Sequence, residues 1–341
     1  MNNTQWEQLL ALIAGERVDP LPVGFIIDSP WLPNWAGMRI LDYFSESGLW
    51  RAANDLAIDT FPEIWFLPGY WSEFGMCSEP ASFGAKCTFH EDDFPFAQTL
   101  PAALGDIEKP DPATDGLAPF ILQRLVHARS HIEARDHAIR FAVARGPLNI
   151  AAFLFGSSEF LMGLRMEPDQ AHRRLATITG FLVDWLRLQK QTIDTIGGIL
   201  LLDDIVGFLG EDDFNTFAKP YLEKAFAAFD CPVRFFHNDA YGLVCAPHLG
   251  EIGINLFNFG YEHPLAQMQA LAGDRVALLG NIPPRDVLAQ GTPDDVERSV
   301  RELVGSLSDT RRVILSCGGG MPPGVPTENI HAFLKAAGHA V

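Results

Sequence analysis

The sequence predicts an α/β protein built as one (β/α)8 barrel, the TIM-barrel architecture, over residues 1–341 with an elaborated N-terminal region. Three observations carry this. In the second half of the chain, short apolar runs that end in polar residues alternate with stretches of helical periodicity. The runs are apolar throughout, as strands must be when helices cover both faces of a parallel sheet. Such runs number about eight along the chain, which is the number that closes this barrel.

The first run is VGFIID (23–28) and the second EIWFL (63–67). Before them, NNTQWEQLLALIAG reads as a short helix capped by Asn3 or Thr4. Residues 68–118 break the alternation. They are rich in Gly, Pro and aromatics and read as an irregular excursion from the barrel, with a small hairpin at AKCTFHED. IRFAVARGPLNI (139–150) supplies the third strand. The amphipathic stretch 167–194 is the outer helix before the fourth, GGILLLDDIVG. CPVRFFHND, GINLFNFG, VALLGNIPP and RRVILSCGGGMPP complete the set. Helical pieces lie between them, with Thr292 and Thr327 at N-cap positions and Pro293 at the first helical position.

Composition narrows the function. With 43 acidic against 25 basic side chains the formal charge is −18. Nucleic acid and anionic membrane surfaces are held by Lys/Arg patches, so both are disfavoured as partners. A small-molecule substrate is expected instead. No apolar run approaches the ~20 residues of a membrane span. The N-terminus lacks a basic segment followed by an apolar one, so no secretory leader is expected. Five scattered cysteines without a CxxC fit a reducing cytoplasm better than a disulfide framework.

In such a barrel the chemistry sits at the carboxyl ends of the strands. Here those ends carry Asp28, Arg145, Asp203 and Asp204, His237-Asn238-Asp239, Asn255 and Asn258, Asn281, and Ser316-Cys317. His237 and Asp239 are two apart and therefore share a face of their strand. They read either as a polar strand end bonded to loop backbone, or as metal ligands, or as a base with its orienter. Cys317 ends another strand. Imidazole, carboxylate and thiolate all bind Zn²⁺, and three protein ligands leave a position for substrate. The alternative for Cys317 is a small buried hydrophobe. Asp203 and Asp204 are adjacent, so only one can point into the barrel. One of them would serve proton transfer or substrate binding, or else a helix N-terminus. Asn238, Asp28, Arg145 and Asn281 are the remaining candidates for substrate contacts, and Trp31, Trp35, Tyr70 and Trp71 either line a pocket near the mouth or pack in the core. CGGGMPPG (317–324) reads as a sharp turn, with an anion nest as the alternative. HARSHIEARDH, with His127, His131 and His137, reads as a solvated helical face, because Arg129 and Arg135 would repel a cation.

These segments carry a resemblance. LLGNIPPRDVLAQGTPDDVERSVRELV followed by RRVILSCGGGMPPGVPTENIHAFLKAA resembles the end of the uroporphyrinogen decarboxylase superfamily. ARGPLNIAAFL is similar to its Gly-Pro segment and LLDDIVG to its Asp-x-x-x-Gly strand. The resemblance implies a single barrel, usually a homodimer. The true decarboxylases bind a tetrapyrrole's acid groups through an early arginine-bearing stretch, where this chain reads FIIDSPWLPNWAG, and carry a His where this chain has Gly319. An anionic substrate of that kind is expected to meet Asp28 and no guanidinium. The other branch comprises cobalamin-dependent methyltransferases that move a methyl group between a corrinoid protein and a thiol or pterin, with zinc on a His-x-Cys pair and a later Cys. On that pattern His237 aligns with the His, Asp239 with the first Cys, and Cys317 lies two residues before the second. The resemblance thus implies methyl transfer with zinc on His237, Asp239 and Cys317, Asp203 or Asp204 positioning the acceptor, and methylcobalamin as carrier. The alternatives are a metal-free decarboxylase or lyase, using His237 and Asp239 as an acid/base pair with Asp203 as orienter, and a binding protein that has lost catalysis.

Overall fold

The computed structural model of the chain describes residues 1–101 and 105–340. Eight parallel strands follow in sequence: β1 Gly24–Ile26, β2 Trp65–Leu67, β3 Phe141–Arg145, β4 Gly198–Leu202, β5 Val233–Asn238, β6 Leu256–Phe259, β7 Ala277–Ile282 and β8 Val313–Cys317. Strands β3 to β8 pair in chain order as one six-stranded sheet, and β1 pairs with β2. The two sheets are joined where the Leu315 N–H donates to Pro22 O at 2.8 Å, beside a Val23–Leu315 bridge. The (β/α)8 expectation holds.

Alternation along the strands sorts the apolar residues into two cores. Phe141, Leu200, Val233, Phe235, Leu256, Leu279 and Ile314 point inward and fill the barrel with Trp65 and Leu67. The helix Asn3–Ala14 plugs the amino end of this core with Trp6, Leu9 and Leu12, and Trp6 meets Phe141 edge-on at 5.7 Å. Its cap is Asn2, in a capping box with Gln5, and not Asn3 or Thr4. The intervening residues of each strand, such as Phe236, Phe257, Leu278 and Leu315, point outward to the helices. The long outer helix spans Pro168–Thr192. Thr292 caps Pro293–Ser306 as expected, but Thr327 is itself helical, with Pro326 in the cap position. Among the described residues no single helix is long and apolar enough to cross a membrane.

The 68–118 excursion holds a short 3-10 turn, Pro80–Phe83, and a two-residue ribbon pairing Cys87–Thr88 with Phe96–Ala97. It closes one seam of the barrel. Among the described residues no ladder bond joins β2 to β3. The open edge of β3 is satisfied by side chains instead. Gln189 accepts from Val143 N and donates to Val143 O, both at 3.0 Å, and Glu79 of the excursion accepts from Arg145 N at 3.2 Å. A primary amide presents the same donor and acceptor as a peptide group, so Gln189 stands in for one residue of a missing neighbour. Gln189→Leu leaves a backbone N–H and C=O unpaired beneath a residue only 2% exposed. We expect it to cost about 2–4 kcal/mol in urea unfolding, where Gln189→Glu, which keeps the acceptor only, costs less.

Candidate functional site

The carboxyl ends of the strands open into a cavity of about 450 Å³. Its floor is set by how β4 and β5 end. Alternation turns Leu202 inward, Asp203 outward and Asp204 inward again, and it turns His237 and Asp239 inward on the neighbouring strand. Asp204, His237 and Asp239 each offer one ligand atom, and these atoms all lie within 4.8 Å of one another. His237 Nε2 stands 3.6 Å from Asp204 Oδ1 and 3.9 Å from Asp239 Oδ2.

Asn258 on β6 fixes the imidazole. Its amide nitrogen donates to Leu279 O at 2.7 Å and to Cys317 O at 3.4 Å, which orients its Oδ1 toward His237 Nδ1 at 2.7 Å. An amide oxygen only accepts, so Nδ1 carries a proton and Nε2 is the ring nitrogen that faces the two carboxylates. Asp204 is held in turn, its Oδ2 accepting from Asn149 Nδ2 at 3.2 Å and its Oδ1 from Asp239 N at 3.2 Å. Burial and the neighbouring Asp204 carboxylate push Asp239 up to about 6, with His237 opposing. Gly319, at φ +103°, is required beside it, since a Cβ there would sit 2.8 Å from Asp239 Oδ2. The Gly-rich loop is thus a sharp turn. It ties β7 and β1 together through Gly318 N to Ile282 O and Met321 N to Ile26 O.

Cys317 does not join this cluster. On β8 it falls in phase with Val313 and Leu315, which face the helices, and its thiol contacts the carbonyls of Gly319 at 3.5 Å and Gly320 at 3.6 Å. Burial pushes that thiol up to about 12. Cys317, expected as a zinc ligand, is therefore a small buried hydrophobe, and the third ligand-type side chain of the cluster is Asp204. Asp203 also leaves the site. Its carboxylate accepts from the backbone N–H groups of Leu148 and Asn149, both at 2.9 Å, and so caps the helix Pro147–Phe155. It is the helix-terminus alternative that holds for Asp203.

Of the other expected contacts, Asp28 and Arg145 do line the cavity, with Trp71. Arg145 is buried, with one contact to Glu79 Oε2 at 3.4 Å. Burial, then Glu73, raises Asp28 well above the usual carboxylate range, and Arg145 opposes this. The expectation that an anionic substrate would meet Asp28 and no guanidinium is thus corrected: Arg145, from β3 and not from the early loop, lines the same cavity. Tyr70 turns away, and its hydroxyl donates to Asp55 at 2.6 Å. Asn238 forms a local turn with Ala240 N, and Asn281 Nδ2 holds the carbonyls of Gly260 and His263. None of the three lines the cavity. Asn255 lies before β6, at the opposite end of the barrel, where it bonds Arg234 N. Trp31 and Trp35 stack on each other at 4.8 Å in the core. His127 is exposed as expected, and His131 is partly exposed, with its Nε2 2.8 Å from Asp55 Oδ2.

Sequence reading missed Asn149 and the role of Asn258. Each is an amide interrupting an apolar run, in PLNIAAF and LFNFG, and that interruption was the available signal.

Comparison with known proteins places this geometry. A sequence profile described as Uroporphyrinogen decarboxylase (URO-D) matches residues 69–339. Relatives include the uroporphyrinogen decarboxylase of Chloroherpeton thalassium, 27% identical over 49% of this chain and 48% of that one. The methylated-thiol–coenzyme M methyltransferase of Methanosarcina mazei is 24% identical over 83% of this chain and 75% of that one. The chain thus spans about half the length of the first relative and three quarters of the second. Among solved structures, a methyltransferase from Methanosarcina mazei superposes with a TM-score of 0.81 at 18% identity, covering 97% of both chains. A B12-independent methionine synthase from Shewanella superposes with a TM-score of 0.59 at 13% identity, covering 93% of this chain and 96% of that one. At these identities the superpositions speak for the fold. The profile match covers most of the barrel and runs through β3 to β8, including the strand ends that carry Asp204, His237 and Asp239: this chain belongs to the uroporphyrinogen decarboxylase family.

Proposed function

We propose that the protein is a methyltransferase moving a methyl group between a corrinoid and a small thiol or pterin, with a zinc ion held by Asp204, His237 and Asp239. One observation carries the reading: three ligand atoms converge within 4.8 Å on the cavity floor, with the imidazole tautomer already set for coordination. A nitrogen and two carboxylate oxygens fit a site with three protein ligands and a fourth position open to substrate. The same convergence is costly without a cation, since Asp204 and Asp239 repel each other there. Bound zinc would supply Lewis acidity at the acceptor atom.

The chain's own residues do the rest. Asn258 orients His237 and keeps its proton on Nδ1. Asn149 and the Asp239 backbone N–H hold Asp204 in place. The cavity walls shelter the reacting atoms.

The test is elemental analysis of the purified protein after zinc loading and dialysis, with turnover of methylcobalamin against thiols and tetrahydrofolate. One zinc per chain with methyl transfer supports the reading, and no retained zinc at neutral pH sinks it. Asn258→Leu probes the orienting role. It is expected to weaken zinc binding about 10–100-fold while the fold persists, as for other residues that hold a metal's histidine.

A further inference from the structure

The cavity has two chemically different sides. The β4–β5 side carries Asp204, His237 and Asp239, whereas the β1–β3 side carries Asp28, Arg145 and Trp71, with Phe94 and Phe153 also in the wall. The second side is not used by the metal reading. Asp28 is half-buried on this wall, and among the described residues no protein group donates a hydrogen bond to its oxygens. A carboxyl group so placed is left for a ligand to partner. Arg145 is buried and has a single side-chain contact at 3.4 Å, so most of its N–H fork is free for a ligand acceptor. Trp71, Phe94 and Phe153 add flat apolar faces. Arg285 stands exposed on the wall with no ion pair among the described residues.

We infer that the β1–β3 side is a subsite for a flat nitrogen heterocycle with an aminopyrimidinone edge, the chemistry of a pterin. Adjacent ring and exocyclic N–H groups would donate to the two Asp28 oxygens, and the ring carbonyl would accept from Arg145. The aromatic walls stack on the ring faces. Arg285 suits an acidic tail. A short thiol acid fits less well, because it has no face to stack and its anion would meet Asp28. This inference deepens the methyl-transfer reading by choosing between its two acceptor classes, and it rests on that reading only for which end of the ligand reacts.

Calorimetry on the full chain tests it, with tetrahydrofolate, pterin-6-carboxylate and 2-mercaptoethanesulfonate as probes. Both pterins are expected to bind and to compete with each other. Asp28→Asn, near-isosteric, should fold normally and weaken both roughly 10–100-fold. Phe94→Ala, half-buried in the loop between the two ribbon strands, should weaken them about tenfold. The inference is overturned if neither pterin binds, if only the thiol binds, or if Asp28→Asn binds both pterins as tightly as the parent. Zinc content measured on the same samples separates the two claims. Zinc without pterin binding removes this inference alone, and pterin binding without zinc or turnover removes the catalytic reading alone.

Discussion

His237→Ala and Asp204→Ala are each expected to abolish stoichiometric zinc, while Cys317→Ala retains it. The first two remove one of the three atoms that lie within 4.8 Å of one another, leaving two ligands in an open cavity. The loss should exceed the 10–100-fold that a supporting residue commands. Cys317 contributes no coordination. Its thiol packs outward among the helices, so Cys317→Ala should cost only the stability of a small buried side chain. Asp204 gives the sharper contrast, because its side chain is partly exposed and its loss leaves the core intact. Elemental analysis on all three variants, with melting temperatures as a fold control, decides it. A zinc site that vanished with Cys317→Ala and survived Asp204→Ala would reverse the assignment.

That reversal of roles between Cys317 and Asp204 shows where sequence reasoning reaches its end. The barrel was legible because alternation and apolar runs are local properties: every strand lies where a run was read, and His237 and Asp239 share a face because they are two apart in one extended segment. Phase between strands is not local. Whether residue 317 points in or out depends on which residue of β8 pairs with which of β7, here Cys317 with Ile282, and no spacing within RRVILSC encodes that. The choice between Asp203 and Asp204 is of the same kind. Either could have turned inward, and what decides it is the helix N-terminus at 147–149, which brings two unpaired N–H groups to Asp203. Arg145 and Asp28 were legible as strand ends, but that they line one cavity is a property of the closed barrel. The β2–β3 seam was not legible at all, since its closure by Gln189 and Glu79 joins residues 46 and 66 positions apart from their partners.

Asp203→Ala is expected to destabilise the fold by about 2–4 kcal/mol, as much as Gln189→Leu, with Asp204, His237 and Asp239 all still present. Helix N-caps typically contribute about 1 kcal/mol, but those are mostly exposed and use one bond. Asp203 is fully buried and accepts two backbone bonds of 2.9 Å, so its loss strands two N–H groups away from water. It also opens space against Gly146, whose position is so close that a Cβ would sit 2.3 Å from Asp203 Oδ2. The charge pulls the other way. Burial raises the Asp203 pKa well above the usual range, while the two amides and the helix dipole oppose that shift. Asp203→Asn separates these effects. It removes the buried charge but turns one acceptor into a donor facing an N–H, so it should fall between the parent and Asp203→Ala. Were Asp203→Asn as stable as the parent, relief of the buried charge would offset the lost second bond. Denaturant unfolding gives the stabilities. A drop in the midpoint with retained zinc at low temperature identifies Asp203 as the residue that seats the helix carrying Asn149, and through Asn149 the proposed ligand Asp204.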